Sequence, residues 1–230
     1  NIASNELHPQ AQYPLLNGAA IRYNNVNTPY FVRDEQSKIV SCTFENCQFG
    51  VEGFFNDKMF VEYANFKSVN QGIKFVNPMN GLHIANNFIE TEGAGVAIAA
   101  HATFTPPASI QANSQAYIRN NIITTRSVGI DVIALYTTVT ENQISLDYHA
   151  PGTTFTGIRV RNIKPVNPIG SAVSRNHIKV INGVPADPDV AASSILKRWN
   201  RGIAAENCAG LLISENLIEK TVSAMVLEGE

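Results

Sequence analysis

Apolar and polar positions recur along the chain in a fixed order. An aliphatic residue is followed three positions later by Asn or another small residue, two positions later by a second apolar residue, and then by a Gly-Ile or Gly-Val pair. In the copies that begin at Ile84 and Ile118, the Asn and the Gly are eight residues apart. Seven copies and a partial eighth at the N-terminal end are present. A period of roughly 20 to 25 residues is typical of a solenoid.

The residues around each Gly-Ile pair alternate as they do in a β-strand. In Gly129-Ile130-Asp131-Val132 the two aliphatic side chains point to one face and Asp131 to the other. The Leu-dense pattern of leucine-rich repeats is missing, which favours a coil built of strands. We therefore expect three short strands per coil, with coils stacked in parallel about 4.8 Å apart.

The recurring Asn predicts an internal ladder. Its side-chain amide can bind the Asn of the next coil and the backbone of the turn, and Asn tolerates the left-handed conformation that tight bends need. The predicted ladder consists of Asn5, Asn87, Asn121, Asn142, Asn176 and Asn216.

With this repeat, the chain resembles the right-handed parallel β-helix of the pectate-lyase-like superfamily over essentially all 230 residues. The resemblance implies an all-β, single-stranded parallel β-helix of about eight coils, forming one domain over residues 1–230. It places the Asn in the bend between the second and third strands of each coil. The strand after the next turn is then the first strand of the following coil, in the sheet that forms a groove. The implied groove strands are 20–23, 50–53, 72–75, 95–98, 129–132, 157–160, 202–205 and 224–227.

The composition and charge of the chain make several classes of binding partner unexpected. The net charge of -2 and the scarcity of basic runs make nucleic acid an unexpected partner. No run of 18 apolar residues and no signal peptide is present, so we expect neither a membrane span nor a membrane partner. Cysteine and histidine spacing predicts no metal, and no phosphate-binding loop is found, so no cofactor is expected. Both ends fall inside coils, which predicts a segment of a longer chain or a protein whose ends are covered by partner subunits.

Insertions concentrate on both sides of the groove strand. Residues 8–19, 145–156 and 179–201 precede groove strands, and residues 24–38, 99–116 and 161–172 follow them, whereas the turn that carries the Asn has no insertion. This distribution predicts walls around a trough, as in solenoids whose binding face carries the long loops.

The residue that points outward from each groove strand is often charged. In coil order these residues are Arg22, Glu52, Lys74, Ala97, Asp131, Arg159 and Ala204. Charged residues make up 16% of the chain but five of these seven positions, which suits a trough that binds a polysaccharide. Guanidinium groups can bind sugar carboxylates, and aromatic rings on the flanking loops can stack on sugar faces. The predicted substrate-binding residues are Arg22, Glu52, Arg161, Tyr148, Trp199 and Arg201.

Two kinds of cleavage are compatible with such a trough. A lyase needs a base and cations that stabilise the developing charge, which points to Lys74, Arg159, Arg161 and His149. A hydrolase needs two nearby carboxylates, and Asp131 with Asp147 or Glu92 remains open. The predicted catalytic set is Asp131, Arg159, Lys74 and His149. No catalytic motif of a characterised family is present, and Asp131 with Arg159 can equally be a surface ion pair of little energetic weight.

The expected function is therefore binding and cleavage of an extracellular or capsular polysaccharide, by a lyase or a glycoside hydrolase. Within the superfamily, phage tailspikes and secreted depolymerases are the most similar, and they imply an extracellular, secreted or virion-associated location and a homotrimer. The alternative is a non-catalytic β-helix that serves as a stalk, adhesin or glycan-binding module.

Overall fold

The computed structural model describes residues 19–24, 37–54, 57–76, 79–99, 115–133, 136–147, 155–161, 171–182, 200–208, 210–221 and 223–228. These residues form 22 strands and no helix, and therefore contain no helix that could span a membrane. Every third strand along the chain joins the same sheet, and all pairings run parallel. Three strands in three different sheets thus make one coil, and the predicted parallel β-helix is confirmed.

The strands divide into three parallel sheets of eight, seven and seven members. The first sheet contains β1 (Ala19–Asn24), β4 (Phe49–Phe54), β7 (Gln71–Val76), β10 (Val96–Ala99), β13 (Val128–Ile133), β16 (Phe155–Arg161), β19 (Asn200–Glu206) and β22 (Ser223–Glu228). The second contains β2 (Ser37–Val40), β5 (Asp57–Glu62), β8 (Met79–Ala85), β11 (Gln115–Arg119), β14 (Tyr136–Thr140), β17 (Ala172–Ser174) and β20 (Leu212–Ser214). The third contains β3 (Thr43–Glu45), β6 (Asn65–Val69), β9 (Phe88–Thr91), β12 (Ile122–Thr125), β15 (Gln143–Asp147), β18 (His177–Ile181) and β21 (Leu217–Glu219). Each predicted groove strand overlaps one strand of the first sheet.

The core is a set of aliphatic columns inside the coils. At one level, consecutive strands of the first sheet place Ile73, Val96, Ile130 and Ile158 in register, and all four are fully buried. Burying one such side chain stabilises the fold by about 1.5–3 kcal/mol before the entropy cost is subtracted. Each coil has too little interior to form a core alone, so stability comes from stacking on its neighbours.

The recurring glycine has a steric reason. At the start of the first-sheet strands from β4 to β19, the glycine of one coil faces the backbone of the next. A Cβ added to Gly129 would lie 2.5 Å from the carbonyl oxygen of Gly157 and 2.6 Å from Cγ2 of Ile144. The glycines before it and after it, Gly95 and Gly157, meet the same obstacle. The coils can approach to strand-pairing distance only because these positions lack a side chain.

The Asn ladder is confirmed from Asn87 to Asn216. The Oδ1 atom of Asn121 accepts hydrogen bonds from the backbone N–H and Nδ2 of Asn87, both at 3.0 Å, and its Nδ2 donates to the carbonyl oxygen of Ile84. The same bonds recur at Asn142, Asn176 and Asn216. The remaining predicted member, Asn5, lies outside the described residues.

The backbone conformation predicted for the ladder is wrong. The left-handed residue of each turn is the one before the ladder position, with φ of 57° at Asn86, 53° at Asn120 and 59° at Glu141. The ladder Asn itself does not have positive φ, because its amide must point inward to the turn backbone and to the next Asn. All seven connections between the second and third sheets have two residues, so this turn is uniform.

The long connections flank the first sheet, as predicted. They join β1 to β2, β10 to β11, β16 to β17, β15 to β16 and β18 to β19. Most of their residues lie outside the described part of the chain. The proposed walls of the trough stay a prediction.

Candidate functional site

The outward residues of the first sheet form one continuous row. Strand pairing places Arg22 next to Glu52, Glu52 next to Lys74, and so on through Ala97, Asp131, Arg159 and Ala204. This set, called the outer row, is the one predicted from the repeat. Each step is about 4.8 Å, so Glu52 and Asp131, three steps apart, are separated by about 14 Å along the helix.

Two arginines hold Asp131. Arg159 donates from Nε to Oδ1 at 3.0 Å and from Nη2 to Oδ2, and Arg161 donates from Nη2 to both oxygens at 3.1 Å. The three side chains remain partly exposed, at 17%, 27% and 31% for Asp131, Arg159 and Arg161. The hydrogen bond to Asp131 raises the pKa of Arg159 above its usual value, against the opposing effect of burial. Arg159 is therefore a permanent cation, suited to stabilise negative charge but not to accept a proton.

A second charged cluster lies at the N-terminal end of the same face. Lys74 Nζ is 3.1 Å from Oε1 of Glu52, and it sits 4.8 Å from the centroid of the Phe49 ring. The side chain of Glu52 is only 4% exposed, whereas that of Lys74 is 31% exposed. The lysine therefore neutralises a buried carboxylate and still faces solvent. Ala97 lies between this cluster and Asp131 in the outer row. Because its side chain is small, the surface of the sheet is recessed between Lys74 and Asp131.

Arg201 is buried on the C-terminal part of the face. Its side chain is 8% exposed, with Nη2 3.1 Å from Oε1 of Glu228 and Nη1 3.8 Å from Oε1 of Glu206. Ala204, which belongs to the outer row, is fully buried. Glu52 and Arg201 are thus the two predicted ligand contacts that the fold itself covers most completely. The strand position of Arg22 is described but its side chain is not, and Tyr148, His149 and Trp199 lie outside the described residues.

The carboxylates proposed as hydrolytic partners of Asp131 have other partners. Arg126 donates from Nη1 to both oxygens of Glu92, at 2.8 and 2.7 Å, and from Nε to Asp147 at 3.2 Å. Asp147 also accepts from Nδ2 of Asn182 at 3.0 Å. These contacts raise the pKa of Arg126, with the hydrogen bonds that it donates to Glu92 as the largest cause. The four residues form a chain at the end of the third sheet rather than a pair with Asp131.

A column of stacked rings on the second sheet was not anticipated. The ring of His83 lies between those of Phe60 and Tyr117, with centroids 4.6 and 4.8 Å apart, and Lys38 Nζ is 5.6 Å from the Phe60 centroid. Burial lowers the pKa of His83, Arg119 lowers it further, and Glu62 opposes the shift. Each member of the column directly precedes the first aliphatic residue of its repeat copy, so aligning the copies would have revealed it.

Comparison with protein-family models, characterised proteins and solved structures gave no match. The fold assignment therefore stands on the strand order and register, and membership of the pectate-lyase-like superfamily stays a prediction. In the described part of the chain, no three His, Cys, Asp or Glu side chains are grouped to bind a metal ion.

Proposed function

We propose that the outer face of the first sheet binds an acidic polysaccharide along the helix axis. The observation that carries this proposal is the outer row itself: five of its seven residues, which strand pairing places next to one another along the first sheet, are charged, and the other two are Ala97 and Ala204. A linear, charged polymer matches such an array better than a compact ligand does. The first sheet alone has long connections on both of its sides, which supports the same choice.

Lys74, Arg159 and Arg161 are the groups that would contact the polymer. All three are about 30% exposed, and each is held in place by a carboxylate of the protein. A guanidinium group has five N–H donors, and Arg159 uses two nitrogens on Asp131, so donors remain for sugar carboxylates or hydroxyls. Because the side chains are already fixed, binding would cost little side-chain entropy.

Cleavage by β-elimination is the second candidate. The permanent charge on Arg159 and its neighbour Arg161 suits stabilisation of the negative charge that develops when the proton next to a uronate carboxylate leaves. Hydrolysis has less support, since Glu52 is about 14 Å from Asp131, and Glu92 and Asp147 are held by Arg126. Among the described residues the lyase base is unassigned, and His149 stays the predicted candidate.

A panel of carboxylated, sulfated and neutral bacterial polysaccharides tests these proposals. Titration calorimetry reports binding, ultraviolet absorbance reports the unsaturated product of a lyase, and reducing ends without that absorbance report a hydrolase. We expect the acidic members to bind and Arg159→Gln to weaken binding about tenfold, the value for one lost charge-assisted contact. Arg175→Gln, which removes an exposed arginine from a turn opposite this face, is the matched control. Tight binding of neutral polymers only, or equal affinity of both variants, would overturn the proposed site.

Binding without any product would favour the non-catalytic alternative, a stalk or adhesin with a glycan-binding face. The homotrimer and the extracellular or virion-associated location remain proposals that rest on resemblance. Sedimentation velocity of the purified chain tests the first of these, with a single trimeric species as the expected result.

A further inference from the structure

Three arginines from two adjacent strands of the first sheet use their N–H groups unequally. Arg159 commits Nε and Nη2 to Asp131. Arg161 binds Asp131 through Nη2, and its Nε is buried with no acceptor among the described residues. Arg201 binds Glu228 through Nη2, and its Nε is likewise buried without an acceptor there. Two charged donors on neighbouring strands are thus left unpaired.

Buried donors without an acceptor are rare in folded proteins, because burial removes their hydrogen bonds to water and no protein acceptor replaces them. Most buried polar groups are hydrogen-bonded, and those that are not often mark a binding site. The side chain of Arg201 is more than nine-tenths buried, so bulk water has little access to it. A guanidinium group held in that environment favours an oxyanion as its acceptor.

Glu206 is a carboxylate that lies next to both arginines. It is the register partner of Arg161, and its Oε1 is 3.8 Å from Nη1 of Arg201, which is longer than a hydrogen bond. Its side chain is 30% exposed. Arg161 and Arg201 each have another carboxylate partner, Asp131 and Glu228, so neither depends on Glu206 for neutralisation.

The geometry points to an oxyanion subsite between Arg161 and Arg201, in which a carboxylate or sulfate group accepts N–H groups of both arginines in the place of Glu206. The inference rests on the proposed function, since it assigns the acidic group of the polysaccharide to the sixth and seventh strands of the first sheet. It also assigns Glu206 a role: its carboxylate competes with the ligand for the two arginines.

The small anions sulfate and glucuronate test the subsite without a polymer. Thermal unfolding is followed against each anion at constant ionic strength, because an anion that binds the native state raises Tm. In Glu206→Gln we expect binding about tenfold tighter than in the unsubstituted protein, since a like charge next to the ligand is removed. In Arg161→Gln we expect the anion-dependent rise to disappear. Arg175→Gln, an exposed arginine on another turn, should behave as the unsubstituted protein does.

Polymers then distinguish the two sources of the oxyanion and separate this inference from the proposed function. Polygalacturonate carries carboxylates, dextran sulfate carries sulfates, and dextran carries neither. Tighter binding of polygalacturonate would identify a carboxylate as the group in the subsite, and tighter binding of dextran sulfate would identify a sulfate. If an acidic polymer binds and Arg159→Gln weakens that binding, but small anions shift the Tm of Glu206→Gln and Arg161→Gln as they shift that of the unsubstituted protein, the subsite is overturned and the proposed function stands. If small anions bind with the expected pattern but no polymer does, the subsite stands and the proposed function fails. If neither class binds, both are overturned.

Discussion

Substituting Asn142 by alanine should destabilise the protein far more than its size suggests. Asn142 is fully buried, and its Nδ2 donates at 3.0 Å to three acceptors: the carbonyl oxygens of Ile118 and Thr140, and Oδ1 of Asn176. Its Oδ1 accepts from the backbone N–H and Nδ2 of Asn121, at 3.0 and 2.9 Å. Alanine removes all five contacts.

The magnitude follows from the groups left behind. The backbone N–H and the Nδ2 of Asn121 each lose an acceptor, and the carbonyl oxygen of Ile118 loses a donor. Both residues are fully buried, so water cannot replace these partners. Each unsatisfied buried group costs about 1–3 kcal/mol, and partial relaxation of the turn reduces the sum. We therefore expect Asn142→Ala to lower the free energy of unfolding by about 3–5 kcal/mol.

Urea unfolding followed by circular dichroism measures this difference. The matched control is Asn120→Gly, because Asn120 is exposed in an equivalent turn and its φ of 53° suits glycine. That control should change the free energy of unfolding by less than about 1 kcal/mol. A loss below about 1 kcal/mol in Asn142→Ala, with a native spectrum, would show that the ladder does not hold the coils together.

Three further predictions concern the glycine column, the ring column and the charged face. Gly129→Ala should lower the free energy of unfolding by about 1–3 kcal/mol or more, because the new Cβ overlaps the carbonyl of Gly157, and unchanged thermal unfolding would refute that clash. Because the pKa of His83 is lowered in the folded state, the unfolded chain takes up its proton first, so stability should fall as pH drops below about 6.5, the ordinary pKa. His83→Gln should reduce that slope, measured by urea unfolding at several pH values, and an identical slope would contradict it. Binding of an acidic polysaccharide should weaken as salt rises from about 0.05 to 0.5 M, since exposed Lys74 and Arg159 are screened, whereas salt-independent affinity would argue against a charged contact.

The register of the first sheet was predictable from the sequence repeat alone. Because the Asn turn always has two residues, the copies can be aligned at this turn, and the residue two positions after each recurring Gly gives the outer row, even where residues 145–156 and 179–201 are inserted. The conformation of that turn was not predictable from residue type. Tyr63, Glu141 and Arg175 are all left-handed, although none of them is a residue that favours positive φ.

The burial and the ion pairing of the charged side chains on the first sheet were harder to predict from the sequence. A charged residue at an outward position gives no sign of whether the fold covers it, and burial separates Glu52 and Arg201 from Lys74 and Arg159. Ion pairing also depends on side-chain reach: Arg161, two residues along the strand, joins Arg159 on Asp131. The sequence alone could not show that the Nε atoms of Arg161 and Arg201 lack acceptors, because this depends on the side chains of neighbouring strands.

The most direct test of the central proposal is a crystal structure of the protein with a short acidic oligosaccharide. We expect the sugar chain to follow the outer row across β10, β13 and β16, with an acidic group in contact with Arg159 or Arg161. Density on the second or third sheet, for example over the Phe60, His83 and Tyr117 column, with the outer row unoccupied at saturating ligand, would contradict the account.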